Sequence, residues 1–166
     1  MAHVSILGTG NMGPAIAGVV TKGGNTVELF NQGDADKPVT GEVVVDITNP
    51  VDFETFDGLV VPADGSATAE LAAALPDSRV LKAFNTNFGA TLASGKVGDV
   101  TTTVLIAGDD AEAKSLLAGI VTAGGLRAID AGSLRRAREL EALGFLQISL
   151  AAAEKLPWTG GFAVVA

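Results

Sequence analysis

Three glycines, Gly8, Gly10 and Gly13, stand between an apolar run, His3–Leu7, and a segment with helical periodicity. In this G-x-G-x-x-G spacing the first glycine allows a tight turn and the second lets the backbone approach a pyrophosphate. The third lets the helix lie close on its strand. N–H groups at the helix start would then meet phosphate with a partial positive charge. Dinucleotide binding is the chemistry this points to; the plain alternative is an ordinary strand-to-helix turn in a glycine-rich chain. Two amide-bearing corners could complete a site. Asn49-Pro50 and Asn85-Thr86-Asn87 each follow an apolar run. That places both at the carboxyl edge of a sheet, where open α/β folds bind ligands. Ordinary asparagine turn chemistry accounts for such corners equally well. Neither corner carries a general acid or base. Hydride transfer between two bound cofactors fits that lack, since it depends on proximity and orientation more than on a proton shuttle.

The choice of dinucleotide turns on the end of the second strand. NAD sites place an acidic residue about 20 positions past the motif, where it accepts from the ribose hydroxyls. Here Phe30-Asn31-Gln32 occupies the strand end without a carboxylate. Asp34 follows only after Gly33, and Lys37 could meet a 2′-phosphate. The residues leave both cofactors open, with Lys37 favouring NADP.

Composition removes other chemistries. The chain has no Cys and no Tyr, and its single His is His3. Disulfides, thiolate catalysis and Cys-ligated metals are excluded, and a His-based triad or metal site has no second residue to use. His3, at the entrance of a first strand, reads as structural. With 11 Lys and Arg against 19 Asp and Glu, the net charge of −8 argues against nucleic acid or an anionic membrane as partner. The basic cluster Arg135, Arg136 and Arg138 is interleaved with Glu139 and Glu141. Arg135 and Glu139 are four apart, so the cluster reads as a solvated helix face. No stretch reaches the roughly 20 apolar residues of a membrane span. The N-terminus lacks a signal-peptide pattern, which makes the cytoplasm the expected compartment.

These residues need elements to hold them. His3–Leu7, Thr26–Phe30, 42–47, 79–84, 103–107 and 127–130 read as strands, and 59–61 as a short strand candidate. Met12, Ile16, Val19 and Val20 recur at helical spacing, with Gly23-Gly24 as the stop. A short helix is predicted over 69–75. Another opens at Asp109, with Glu112 at capping-box spacing, and closes at Gly124-Gly125. The longest helix covers roughly 134–155. Its second half is apolar nearly all round, so it should be buried, against a second subunit if not against its own chain. Length and alternation imply one α/β domain over residues 1–166: a Rossmann-type, doubly wound, mostly parallel sheet. Residues 134–166 form a C-terminal helical extension packed on it.

GTGNMG at Gly8–Gly13, DITNP at Asp46–Pro50, KAFNT at Lys82–Thr86, IAGDD at Ile106–Asp110 and RRARELEALGF at Arg135–Phe145 together resemble one family over nearly the whole chain. It comprises the NADP oxidoreductases dependent on the deazaflavin coenzyme F-420 and their dinucleotide-binding relatives. The resemblance implies a Rossmann fold with a small C-terminal extension, usually a homodimer. The implied activity moves hydride between NADPH and a deazaflavin or flavin-like co-substrate. Carried over by position, Gly8, Thr9, Gly10, Asn11, Met12 and Gly13 would hold the pyrophosphate. Asn31 and Gln32 stand where the family often has Ser and Arg for the 2′-phosphate, which leaves Lys37 as the nearest cation. Asn49, Pro50, Ala83, Asn85 and Thr86 would border the nicotinamide and the second ring. A non-catalytic NADP-binding module that senses redox state, or serves as a subunit, is the competing function. The reduction of a small imine or carbonyl is weaker, because it requires a proton donor.

One departure concerns the sheet. Family members carry an additional strand and helix before the strand that enters DITNP, whereas here Gly41-Glu42-Val43-Val44-Val45 runs straight into Asp46. Parallel strands need a crossover of a dozen or more residues. The eleven residues 31–41, with Gly33 and Pro38 among them, cannot hold a crossover helix. Either a strand–helix unit has been lost or a segment is missing from this sequence. Omission is the expectation, because a true loss would expose a parallel edge that is normally covered.

Overall fold

The computed structural model describes residues 1–7, 10–30 and 43–165. The chain opens with a parallel βαβ unit: β1 (His3–Leu7), α1 (Met12–Lys22) and β2 (Thr26–Phe30). Its register runs from His3 opposite Thr26 to Leu7 opposite Phe30. Ile16, Val19 and Val20 of α1 are buried, as their spacing requires. The Gly41–Glu42 junction lies outside the described residues, and so does the rest of the suspected crossover. From Val43 onward β3 (Val43–Asp46) pairs residue for residue with β4 (Arg79–Lys82).

The later elements are α2 (Ala67–Ala74), α3 (Gly89–Ser94), the hairpin β5 (Lys96–Val97) with β6 (Val100–Thr101), β7 (Thr103–Gly108), α4 (Ala111–Ala123), β8 (Arg127–Gly132) and α5 (Ala137–Ala152). A 3-10 turn, Leu134–Arg136, precedes α5. Strand order in the larger sheet is β3-β4-β7-β8. The outer pairs are parallel, but β4 and β7 are antiparallel and meet only at Leu81–Gly108 and Lys82–Ala107. This qualifies the expected parallel sheet. The link between them, residues 83–102, is taken up by the six-residue α3 and a hairpin rather than by a crossover helix that would return the chain parallel.

One core gathers Ile6, the buried face of α1, Leu81, Val104, Ile106 and the inner face of α4. The α1–α4 approach is close enough that a Cβ at Gly124 would stand 2.5 Å from the Val19 carbonyl oxygen. Only glycine fits there. Some elements differ from their expected bounds. Helix α4 is capped by Asp110, whose carboxylate accepts from the Ala113 N–H at 2.7 Å, while Asp109 accepts from the Leu134 N–H. Helix α2 starts two residues early because Ser66 accepts from the Ala69 N–H and Glu141 takes up the N–H groups of Ala67 and Thr68. The expected strand at 59–61 is a single bridge between Val51 and Leu59. Among the described residues no helix is long and apolar enough to cross a membrane.

Candidate active site

Helix α1 begins two residues after Gly10, whose carbonyl accepts from the Gly13 N–H at 3.1 Å. No acidic residue lies in its first turn and no side chain caps it, so the positive end of the helix dipole is uncompensated and favours an anion. Gly10 is exposed, and a Cβ there would touch nothing within 4 Å. Opposite this end lie the two asparagine corners. Asn85 Nδ2 donates to Asn49 Oδ1 at 2.9 Å, and Asn49 Nδ2 donates to the Asn85 carbonyl at 2.9 Å. Asn85 Nδ2 also donates to the Leu140 carbonyl of α5 at 2.8 Å. Loops that are 36 residues apart in sequence are thus locked together. Asn87 continues the wall, donating to the Thr103 carbonyl at 3.0 Å.

Between these parts opens a cleft of about 690 Å3. Its walls are Asn11, Met12, Pro14 and Ala15 from the α1 end, Ile47 and Asn49 from the first corner, and Asn85, Asn87 and Phe88 from the second. Residues of α3, Ile148 and Trp158 complete it. Of the residues expected from sequence, the structure brings Asn11, Met12, Asn49 and Asn85 to this cleft. Gly13 is a buried residue of α1, Ala83 is wholly buried in the core, and Pro50 and Thr86 do not line the cleft. Gly8, Thr9, Asn31, Gln32 and Lys37 lie outside the described residues. Phe88, Ile148 and Trp158 were not anticipated, because long-range packing carries them to the cleft.

Behind the corners sits a buried charge cluster that sequence reasoning missed. Lys82 is wholly buried and its Nζ donates to Asp46 Oδ2 (2.9 Å), Glu141 Oε1 (3.0 Å) and the Thr48 carbonyl (2.6 Å). The Thr68 hydroxyl lies 2.7 Å from Asp46 Oδ2 and 3.1 Å from Glu141 Oε1. Burial alone would push the Asp46 carboxyl up. The Lys82 charge, with hydrogen bonds from the Thr48 N–H and the Thr68 hydroxyl, brings it below the ordinary carboxylate value. Glu141 is therefore no part of a solvated face, and a surface pair at the start of α5 joins Arg136 of the 3-10 turn to Glu139 at 3.3 Å. A charged residue inside each apolar strand, Asp46 after three valines and Lys82 after Val80-Leu81, was the available signal.

No family model matches the chain. Two curated relatives decide the comparison. The F420-dependent NADP reductase of Methanothermobacter marburgensis is 35% identical over 130 residues, covering 74% of this chain and 57% of its own length. That of Methanocaldococcus jannaschii is 33% identical over 124 residues, covering 72% and 55%. This chain is similar to the F420-dependent NADP reductases. It spans little more than half the length of those two reductases. The metalloreductase STEAP3 of Rattus norvegicus is 36% identical over 106 residues, 63% of this chain but 20% of that protein. Among solved structures, a candidate F420-dependent NADP reductase from Arthrobacter sp. FB24 shares the fold, with a TM-score of 0.81, 20% identity and 98% of each chain covered. A protein of unassigned function from Sinorhizobium meliloti reaches 0.68 at 21% identity, covering 81% of this chain and 86% of its own. The α/β fold with its C-terminal helix is thus shared with the first of these.

Proposed function

We propose that the chain is an NADP-dependent oxidoreductase that moves hydride between NADPH and a deazaflavin or flavin-like acceptor. One observation carries this reading: the cleft beside the α1 N-terminus is walled, among the described residues, by amides and apolar groups with no titratable side chain. Such a wall orients rings and excludes water but cannot shuttle protons, which suits hydride transfer. The residues fit the cofactor. Asn85 Oδ1 and Asn87 Oδ1 are buried without a donor, and amide or imide N–H groups of the two rings would supply donors. When bound, NADPH supplies the hydride.

The rest is the work of this chain. Residues Gly8 to Gly13 and the positive end of α1 bind the pyrophosphate, and Lys37, which follows Asn31 and Gln32 in the sequence, meets the 2′-phosphate. The locked Asn49–Asn85 pair orients the nicotinamide against the second ring. The chain works as one nucleotide-binding domain, 1–166, because α5 and the tail after it supply Ile148 and Trp158 to the same cleft. The proposal includes a homodimer in the cytoplasm, in which a second copy would cover Leu146 of α5, 49% exposed in the single chain.

The test is an acceptor screen. Purified protein is mixed with NADPH and F-420, then FMN, FAD and a quinone, and loss of NADPH absorbance is followed. Oxidation by the deazaflavin or a flavin is expected; binding of NADPH with no oxidation by any acceptor would leave a non-catalytic module instead. NADPH should bind more tightly than NADH. Lys37→Ala should narrow that gap by about 1–2 kcal/mol, the usual size of a charge-assisted contact. Equal affinities in the unmutated protein would point to Asp34 and an unphosphorylated ribose.

A further inference from the structure

We infer that Trp158, backed by Phe88, is the stacking platform for the planar ring of the hydride acceptor. The inference rests on the proposed reading of the cleft and adds to it the place of the second ring. Trp158 is 54% exposed although it belongs to a cleft wall. Its ring lies 4.9 Å from that of Phe88, centroid to centroid, tilted by 51°. Phe88 is itself buried and directly follows Asn87. A surface indole left half-open loses apolar burial, and in a loose tail it would swing to cover itself. This tail is not loose.

The hydrogen bonds after α5 hold the indole where it stands. The side chain of Gln147, 2% exposed, donates through Nε2 to the Thr86 carbonyl at 3.2 Å and accepts at Oε1 from the Phe162 N–H at 2.9 Å. A turn between them is closed by the Gly160 N–H on the Pro157 carbonyl at 2.8 Å. The segment that carries Trp158 is thus held at both ends by α5, through the chain itself and through Gln147, which also reaches the second asparagine corner. An aromatic face pinned open beside a ligand cleft is pre-organised to stack on a flat ring.

The occupant follows from what the cleft leaves out. Rossmann sites place the adenosine half against the end of β2, and no described residue of β2 lines this cleft. The space between the α1 end and Trp158 is therefore left for the nicotinamide and one further ring. The nicotinamide goes to the Asn49–Asn85 pair. The aromatic pair remains for the acceptor, a planar fused-ring system of the flavin type.

Trp158 is the chain's single tryptophan, and there is no tyrosine, so its fluorescence reports on this position alone. The whole chain is titrated with F-420, FMN and NADP+, with free N-acetyltryptophanamide correcting for absorbed light. Saturable quenching by F-420 or FMN is expected. Absence of quenching by both overturns the inference, whether or not turnover is seen. In kinetics, Trp158→Ala should raise the acceptor KM roughly tenfold, the scale of one aromatic stacking contact. The KM for NADPH should stay unchanged, and Trp158→Phe should recover most of the loss. A parallel rise in both KM values would place the nicotinamide on Trp158, and an unchanged acceptor KM would make the residue mere packing; either overturns it. Calorimetric binding of NADPH separates the two levels. A chain that binds no NADPH fails the parent reading and the inference with it, whereas NADPH binding without Trp158 quenching fails the inference alone.

Discussion

Two asparagines that spend their side-chain N–H groups on each other and on backbone carbonyls can hold a ring but cannot hand over a proton. At the scale of single residues this sets what the cleft can do. His3, the chain's single histidine, has no part in it. Its Nδ1 lies 3.0 Å from Thr26 Oγ1, its Nε2 is 3.6 Å from Glu28, and the side chain is exposed on β1, away from the cleft wall. His3→Ala should therefore leave turnover within a few-fold. A loss on the order of 100-fold, the scale of a missing general acid or base, would refute the uncharged-cleft reading. Asn49 and Asn85 were legible in the sequence because each amide follows an apolar strand and so falls at a sheet edge. Ala83 and Thr86 were not. A motif gives the order of residues but not the side of the wall each one faces, and Ala83 faces the core.

Helix α5 does the most to connect the site with the fold. A Cβ at its Gly144 would fall on Asn49 Oδ1 and lie 2.9 Å from the Asn85 carbonyl oxygen. Gly144→Ala should force the two corners apart and cost about 1–3 kcal/mol by overpacking. The expected result in urea unfolding is a lower midpoint with a raised KM for NADPH. An unchanged KM would mean that the corners do not orient the cofactor. Three residues earlier on the helix, Glu141 caps the start of α2 and meets Lys82. Lys82→Met would leave Asp46 and Glu141 buried without their cation and should cost about 3–5 kcal/mol, read from the same unfolding curves. A cost under about 1 kcal/mol would show that the cluster is hydrated and structurally idle. Charge spacing along the sequence put Glu141 on a solvated face with the arginines. Only the packing of α5 against α2 and the sheet turns it inward.

For the whole molecule the buried cluster makes stability depend on acid. The Asp46 carboxyl sits lower in the folded chain than in the unfolded one. Its contribution is therefore present above the ordinary carboxylate value, near pH 4, and is lost as pH falls through the lowered folded value. Unfolding free energy should hold steady from neutrality to about pH 5 and then decline, with a shallower decline in Asp46→Asn. Equal slopes in the two proteins would remove Asp46 from the account. The sequence by itself determined the α/β class, the βαβ start with its glycine turn, the outlines of most strands and the two amide corners. Each of these is written in local periodicity, turn residues or absent residue types, which need no knowledge of distant contacts. The tertiary structure alone decided that β7 runs against β4, that Lys82 gathers two carboxylates, and that Trp158 faces the same cleft as Asn11. Those facts depend on residues 25 or more positions apart, from Lys82 opposite Ala107 upward. No local pattern encodes which distant partners meet, because the meeting is selected by the burial of the whole core rather than by any one segment.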